Sequence, residues 1–93
     1  MGNKEFIDIC KNEVRKYTEE HIDKTDAKQD FEVFVVWSCK TLQNHKALLS
    51  TTISDGMYYE LTYNGDKKEL YFDAYKKFEN KCIMLAEDWL IVE

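Results

Sequence analysis

The sequence predicts an α+β fold in which a four-stranded antiparallel meander is flanked by an N-terminal and a C-terminal helix. Near both ends of the chain, apolar residues recur every three or four positions, which is typical of amphipathic helices. Between them, runs rich in β-branched and aromatic residues are separated by short polar turns, which is typical of consecutive strands. The 93 residues fit a single domain spanning 1–93 with a small core.

The first helix is predicted over residues 4–23. Phe6, Cys10 and Val14 repeat at the four-residue spacing of one helical face, and most charged residues of this segment fall on other faces. The stretch 23–30 is polar apart from Ala27, so it is predicted as a loop that leads into the sheet.

Four strands follow, and composition locates them. The first is apolar on both of its faces, which favours a central position in the sheet. The last two surround Asn64-Gly65, a strong hairpin signal. The predicted strands cover residues 31–42, 47–54, 57–63 and 67–72.

Loop lengths set which strand residues face each other. A three-residue loop ending at Gly56 pairs Leu49 with Leu61 and keeps the apolar sets of both strands on one face, with the glycine in the left-handed conformation that such a loop needs. A four-residue loop starting at Asn64 pairs Leu61 with Leu70. A tighter two-residue turn would keep the same faces but would set two glutamates opposite each other.

These registers divide the sheet into a core face and an outer face. The predicted core face consists of Val33, Val35, Trp37, Cys39, Leu49, Ile53, Met57, Tyr59, Leu61, Leu70 and Phe72. The outer face is mixed in polarity, with an apolar part. Its six candidate protein-binding residues are Phe34, Leu48, Tyr58, Glu60, Glu69 and Tyr71.

A C-terminal helix is predicted to begin after Asp73, a favourable N-cap residue. The apolar tail 86–93 is predicted as a last helical turn or an edge strand. Whether this helix and tail cover the outer face is left open. The helical stripe consists of Ala74, Phe78, Cys82 and Leu85, joined by Tyr75.

Composition disfavours several classes of function. The net charge is −5 and the acidic residues are spread along the chain, which disfavours nucleic acid and favours a partner with a basic surface. Three widely spaced cysteines without a C-x-x-C pair indicate free thiols in a reducing cytoplasm. No apolar run is long enough for a membrane span.

The sequence also gives little support for catalysis or for a cofactor. His21 is predicted near the end of the first helix and His45 in a solvated loop, so neither predicts a metal site. Only three glycines are present, which excludes a glycine-rich phosphate loop. We therefore expect neither an enzyme nor a bound metal or cofactor.

The outer-face tyrosines allow three interpretations. Exposed aromatics on a four-stranded sheet can stack single-stranded bases, with Lys67, Lys68, Lys76 and Lys77 on the phosphates. They can instead be covered by the C-terminal helix, or they can anchor another protein. The acidic surroundings disfavour the first interpretation.

The middle of the chain resembles a family of small, functionally uncharacterised proteins encoded by phages and prophages of Gram-positive bacteria. The resemblance covers Val35 to about Asn80 and rests on "VWSCKTLQN", "KALLST", "DGMYYE", "YNGDKKE" and "DAYKK". The family supplies no catalytic residues.

This resemblance implies a setting in which small proteins bind host or bacterial-defence enzymes. The expected function is a non-enzymatic, acidic phage protein in the host bacterial cytoplasm that binds and inhibits or modulates a nucleic-acid enzyme, with CRISPR effectors among the candidate targets. One alternative is a single-stranded nucleic-acid-binding accessory protein. Another is a structural phage component that self-associates through the apolar tail, for example as a homodimer.

Overall fold

The computed structural model describes residues 1–22 and 30–85, and these contain one helix and one antiparallel sheet. The strand order is β1-β2-β3-β4, so the predicted α+β class and the four-stranded meander are confirmed. The elements are α1 (Asn3–His21), β1 (Val33–Thr41), β2 (Asn44–Thr51), β3 (Met57–Asn64) and β4 (Glu69–Lys76). The predicted loop 23–30 lies outside the described residues except for its last residue.

Helix α1 covers one face of the sheet, and we call this side the core face. Its buried stripe repeats every four residues through Phe6, Cys10, Val14 and Thr18, as the apolar spacing predicts. The stripe packs with fully buried residues of the central strands, among them Leu49. No helix in the described part of the chain combines the length and the apolar character needed to cross a membrane.

Both predicted hairpin registers are wrong by two residues, yet the predicted faces survive. Leu49 lies opposite Tyr59 instead of Leu61, and Leu61 lies opposite Phe72 instead of Leu70. Because side chains alternate with a period of two, an even shift leaves every residue on the same face. The core face therefore keeps the members predicted for β2, β3 and β4.

The β2–β3 connection is longer than predicted because its own hydrogen bonds stabilise a wider loop. The Ser50 hydroxyl donates to the Met57 carbonyl over 2.7 Å, and the Met57 N–H donates to the Asp55 carboxylate over 3.0 Å. Gly56 has φ +71°, so the left-handed glycine is confirmed. The Lys77 N–H donates to the Gly56 carbonyl over 2.7 Å, which ties the chain beyond β4 to this loop.

The β3–β4 loop has four residues, as predicted, but it begins one residue later. Asn64 remains in β3, and its side-chain oxygen accepts the N–H groups of Asp66 (3.0 Å) and Lys67 (3.2 Å). An asparagine that binds the backbone two and three residues onward stabilises a turn. The loop therefore runs from Gly65 to Lys68.

Strand β1 differs from its prediction in two respects. It pairs only with β2, so it is an edge strand and not a central one. It also contains an irregularity, because Val35 lies opposite Leu49 but Trp37 lies opposite Leu48. Val36 is therefore one extra residue in β1. A bulge of one residue reverses the faces beyond it. Trp37 and Cys39, predicted for the core face, therefore lie on the outer face.

The predicted C-terminal helix is wrong for the described residues. Asp73 does not cap a helix but pairs with Glu60 within the sheet, and β4 continues to Lys76. The reason is that the first half of β3 needs a strand partner for its backbone groups, and extension of β4 supplies it. Residues 77–85 are exposed and contain no helix or strand. The predicted tail 86–93 lies outside the described residues.

Gly65 is required by the close approach of two turns at one end of the sheet. A Cβ at this position would lie 2.8 Å from the Gln43 Cβ and would overlap the Gln43 carbonyl oxygen. The Gly65 N–H also donates to the Asn44 side-chain oxygen over 3.0 Å. These contacts join the β1–β2 turn to the β3–β4 turn.

Gly65→Ala is accordingly expected to lower the free energy of unfolding by about 1–3 kcal/mol, the usual cost of overpacking. Asp66→Ala introduces the same residue at the neighbouring exposed position and should change stability by less than about 0.5 kcal/mol. Urea denaturation of both variants measures the difference. Equal losses for the two variants would show that the two turns do not pack in this way.

Candidate protein-binding face

The outer face is the side of the sheet opposite α1, and the strand registers arrange it in cross-strand rows. The first row is predominantly aromatic and the second combines two apolar residues with two carboxylates. A third row carries a thiol, an amine, a hydroxyl and a phenol. The rows are Phe34–Ser50–Tyr58–Tyr75, Trp37–Leu48–Glu60–Asp73 and Cys39–Lys46–Thr62–Tyr71.

All six residues predicted as protein-binding lie on this face. Phe34 and Tyr58 belong to the aromatic row, Leu48 and Glu60 to the second row, and Tyr71 to the third. The sixth, Glu69, lies two residues before Tyr71 at the start of β4 and shares its face by alternation. The registers thus bring the candidate residues together on one surface, and their role in binding stays a prediction.

Sequence reasoning missed five residues of the three outer-face rows. Trp37 and Cys39 arrive there through the bulge in β1, and Lys46 does so because β2 begins three residues earlier than predicted. Tyr75 and Asp73 arrive there because β4 continues where a helix was predicted. Tyr75, the tyrosine of "DAYKK", carried a usable signal. It stands four residues after Tyr71, and side chains at even spacing in a strand share a face.

The outer face is unusually apolar for an open surface. Phe34, Trp37, Tyr71 and Tyr75 expose between 42% and 56% of their surface, and Leu48 and Tyr58 are half-buried. Isolated exposed apolar residues are ordinary, but a contiguous group on one sheet face is typical of an interaction site. Tyrosine and tryptophan are also the residue types most often found as binding anchors.

The carboxylates of this face are unequally available. The Glu60 carboxylate forms an ion pair with the Lys46 ammonium at 3.4 Å across the strands. The Tyr71 hydroxyl donates to the Glu69 carboxylate over 2.7 Å, and this bond, with the nearby negative charge, raises the pKa of Tyr71. Asp73 is exposed and has no ion pair within residues 1–22 and 30–85. It is therefore the carboxylate most open to a partner's cation.

A cation from the end of β4 adds to the aromatic row. The Lys77 ammonium lies 5.9 Å from the centre of the Tyr58 ring, within range of a cation–π interaction. With Lys46, it partly offsets the negative charge of this face. The surface is best described as aromatic with a small excess of carboxylates.

The described residues contain no group of three or more His, Cys, Asp or Glu side chains placed to hold a metal ion. On the outer face, Cys39 lies opposite Lys46, while the histidines lie elsewhere in the fold. The chemistry that this face offers is thus apolar burial, hydrogen bonding by phenol groups and pairing with cations.

Comparison with known families identifies the chain by its family. Residues 7–85 match the model of a family of unknown function, DUF6275. The chain belongs to this family. The match extends over most of α1 and all four strands, so the whole outer face is part of the DUF6275 domain. No curated protein and no solved structure matches the chain.

Proposed function

We propose that this DUF6275 protein is a small non-enzymatic phage protein that binds and inhibits or modulates a host or bacterial-defence enzyme through its outer face. The observation that carries the proposal is the open aromatic surface opposite α1, built from residues such as Trp37, Tyr58 and Tyr75. Burial of such aromatics contributes most of the binding free energy in many protein complexes.

The partner is proposed to be an enzyme with a basic surface. The chain carries a net charge of −5, and Asp73 and Glu69 place negative groups beside the aromatics. Opposite charges speed the encounter of two proteins and suppress wrong orientations. Enzymes that handle nucleic acid present basic surfaces of this kind, and the resemblance to phage proteins suggests defence nucleases, CRISPR effectors included, in the host cytoplasm.

The double variant Tyr71→Ala/Tyr75→Ala tests this proposal. Both side chains are more than half exposed, so the fold should tolerate the change, while loss of two anchors should weaken partner binding by at least about tenfold. The matched control is Phe78→Ala, which removes an apolar side chain that is 93% exposed but lies beyond the sheet.

The measurement has two stages. Tagged wild-type protein is used to purify partners from phage-infected cells, and the affinity of the purified partner for each variant is then measured by calorimetry. Retention of a basic enzyme whose binding is weakened in the double variant, but not in Phe78→Ala, supports the proposal. Failure to retain any protein, or equal binding by all three forms, overturns it.

Self-association is a second candidate function, and the segment 77–85 favours it. Phe78, Ile83, Met84 and Leu85 expose between 63% and 93% of their surface, and exposed apolar segments of this length often pack against another chain. Sedimentation equilibrium distinguishes the two candidates, because a homodimer at micromolar concentration would sediment at twice the mass of the chain.

The nucleic-acid alternative is weakened by the residues that the sheet adds to the outer face. Glu60 lies opposite Asp73, so two carboxylates occupy the centre of the surface on which bases would stack, and such a surface repels phosphates. A gel-shift titration with a single-stranded oligonucleotide at low salt checks this, and a saturable shift would restore that alternative.

A further inference from the structure

A second surface feature lies at the end of the sheet where α1 begins, away from the outer face. It is a cleft of about 290 Å³ between the β1–β2 turn, the β3–β4 turn and the first residue of the chain. Its lining includes Lys40, Leu42, His45, Tyr63, Gly65 and Lys68. Three of these residues, Lys40, His45 and Tyr63, form one cross-strand row on the core face.

The walls of the cleft are held in an uncommon backbone conformation. Leu42 has φ +56° and Lys68 has φ +55°, and these are the two described non-glycine residues with positive φ. Residues other than glycine adopt this conformation at a cost, and they cluster at binding sites. The two turns are also joined by the hydrogen bond from Gly65 to Asn44. The cleft is therefore a built feature and not a gap between loose loops.

The cleft is cationic in a chain that is acidic. Lys40 and Lys68 both line it, and neither forms an ion pair with a carboxylate of the described residues. Asp66 and Glu69 lie near in sequence but do not line the cleft. Helix α1 begins nearby without a side-chain cap at Gly2, but Glu5 lies in its first turn and offsets the helix dipole, so the positive charge of the cleft rests on the two lysines.

His45 forms a buried part of the cleft wall. It was predicted to be a solvated loop residue, which is wrong, because it lies in β2 and is only 2% exposed. Its Nε2–H donates to the Met1 carbonyl over 3.2 Å, while Nδ1 has no hydrogen-bond partner among the described residues. When Nε2–H donates to this carbonyl, Nδ1 of the neutral ring is an acceptor, so the charged contacts of the cleft come from its two lysines.

We propose that this cleft binds a small oxyanion, a phosphate or carboxylate group, with Lys40 and Lys68 as its charged contacts. The two ammonium groups supply charge-assisted hydrogen bonds, and His45 forms the buried wall between the strands. The site is separate from the outer face, so the test of anion binding does not depend on the proposed partner binding. The bound group can belong to a free small molecule or to a larger one.

Nuclear magnetic resonance titrations with inorganic phosphate and with acetate, at constant ionic strength, test the proposal. We expect saturating shifts of the Lys40, His45, Gly65 and Lys68 resonances, and Lys40→Gln/Lys68→Gln should weaken binding by at least about tenfold. The matched control is Lys11→Gln/Lys67→Gln, which removes the same charge from exposed positions that do not line the cleft.

Each outcome decides the proposal. Saturating shifts with phosphate alone assign a phosphate group, shifts with acetate alone assign a carboxylate group, and shifts with both assign a general oxyanion site. All three support the proposal if the cleft variant binds more weakly than the control. No saturating shift with either anion, or equal weakening in the two double variants, overturns it.

Discussion

Leu49→Ala is expected to lower the free energy of unfolding by about 2–5 kcal/mol, the range found for buried leucines. Leu49 is fully buried in β2, on the core face beneath α1. It lies between two neighbouring strands, opposite Val35 and Tyr59, so the surrounding residues are held in place. The truncation therefore removes packing contacts and leaves a cavity that the sheet cannot readily close.

The next residue along the chain supplies the matched control. Leu48 is half-buried on the outer face, so Leu48→Ala removes the same atoms from a site that is already partly in water. Its expected cost is about 1 kcal/mol or less. Urea denaturation followed by circular dichroism measures both variants. If Leu48→Ala proved as costly as Leu49→Ala, the outer face would be a second core and could not be a free docking surface.

The faces of three strands were predicted correctly from the sequence, although the registers between these strands were predicted wrongly. Side chains alternate between the two faces along each strand, and the parity of the predicted loops related the faces of β2, β3 and β4 to one another. Both register errors were of two residues, and such shifts preserve the sides. Register depends in addition on loop hydrogen bonds, such as that from Ser50 to Met57, and composition does not reveal these.

The bulge in β1 could not be predicted for a different reason. Residues 34–37 are apolar at every position, so no alternation marks the point at which one extra residue is inserted. The consequence is large, because the bulge moves Trp37 and Cys39 to the outer face. A tryptophan interpreted as core thereby becomes one of the largest side chains of the candidate binding surface.

The end of β4 illustrates a conflict between local and tertiary preference. The spacing of Ala74, Phe78 and Cys82 suits a helix, but a helix starting at Asp73 would leave half of β3 without a partner on that side. β4 therefore stays paired with β3 as far as Lys76. For the same reason Tyr75 was missed as a neighbour of Tyr58, while the six residues predicted from alternation all lie on the outer face.

Folding is expected to slow the reaction of Cys10 with iodoacetamide at pH 8 by about a thousandfold, because the thiolate is the reactive form. Cys10 is fully buried between α1 and the sheet. Burial, with a smaller contribution from the negative charge of Glu13, raises the pKa of this thiol from 9.0 to about 12. The thiol of the unfolded chain, with a pKa of 9.0, is already partly ionised at pH 8.

The same shift predicts how stability depends on pH. The folded state favours the neutral thiol, so the contribution of Cys10 to stability is fully present below the unfolded pKa near 9.0 and is lost as the pH rises toward about 12.

The alkylation rate of Cys10 is measured by labelling native and urea-unfolded protein with iodoacetamide and quantifying each labelled peptide by mass spectrometry. Cys39 is exposed and serves as the control, with rates expected to agree within about tenfold in the two states.

The Cys10 rate also bears on the choice of binding surface. The thiol becomes accessible when α1 separates from the sheet, so its native rate reports how firmly the helix covers the core face. A native Cys10 rate within about tenfold of the unfolded rate would mean that α1 leaves the sheet readily. The apolar residues under α1 would then compete with the outer face for any partner, and the assignment of docking to Tyr58, Tyr71 and Tyr75 would lose its physical basis.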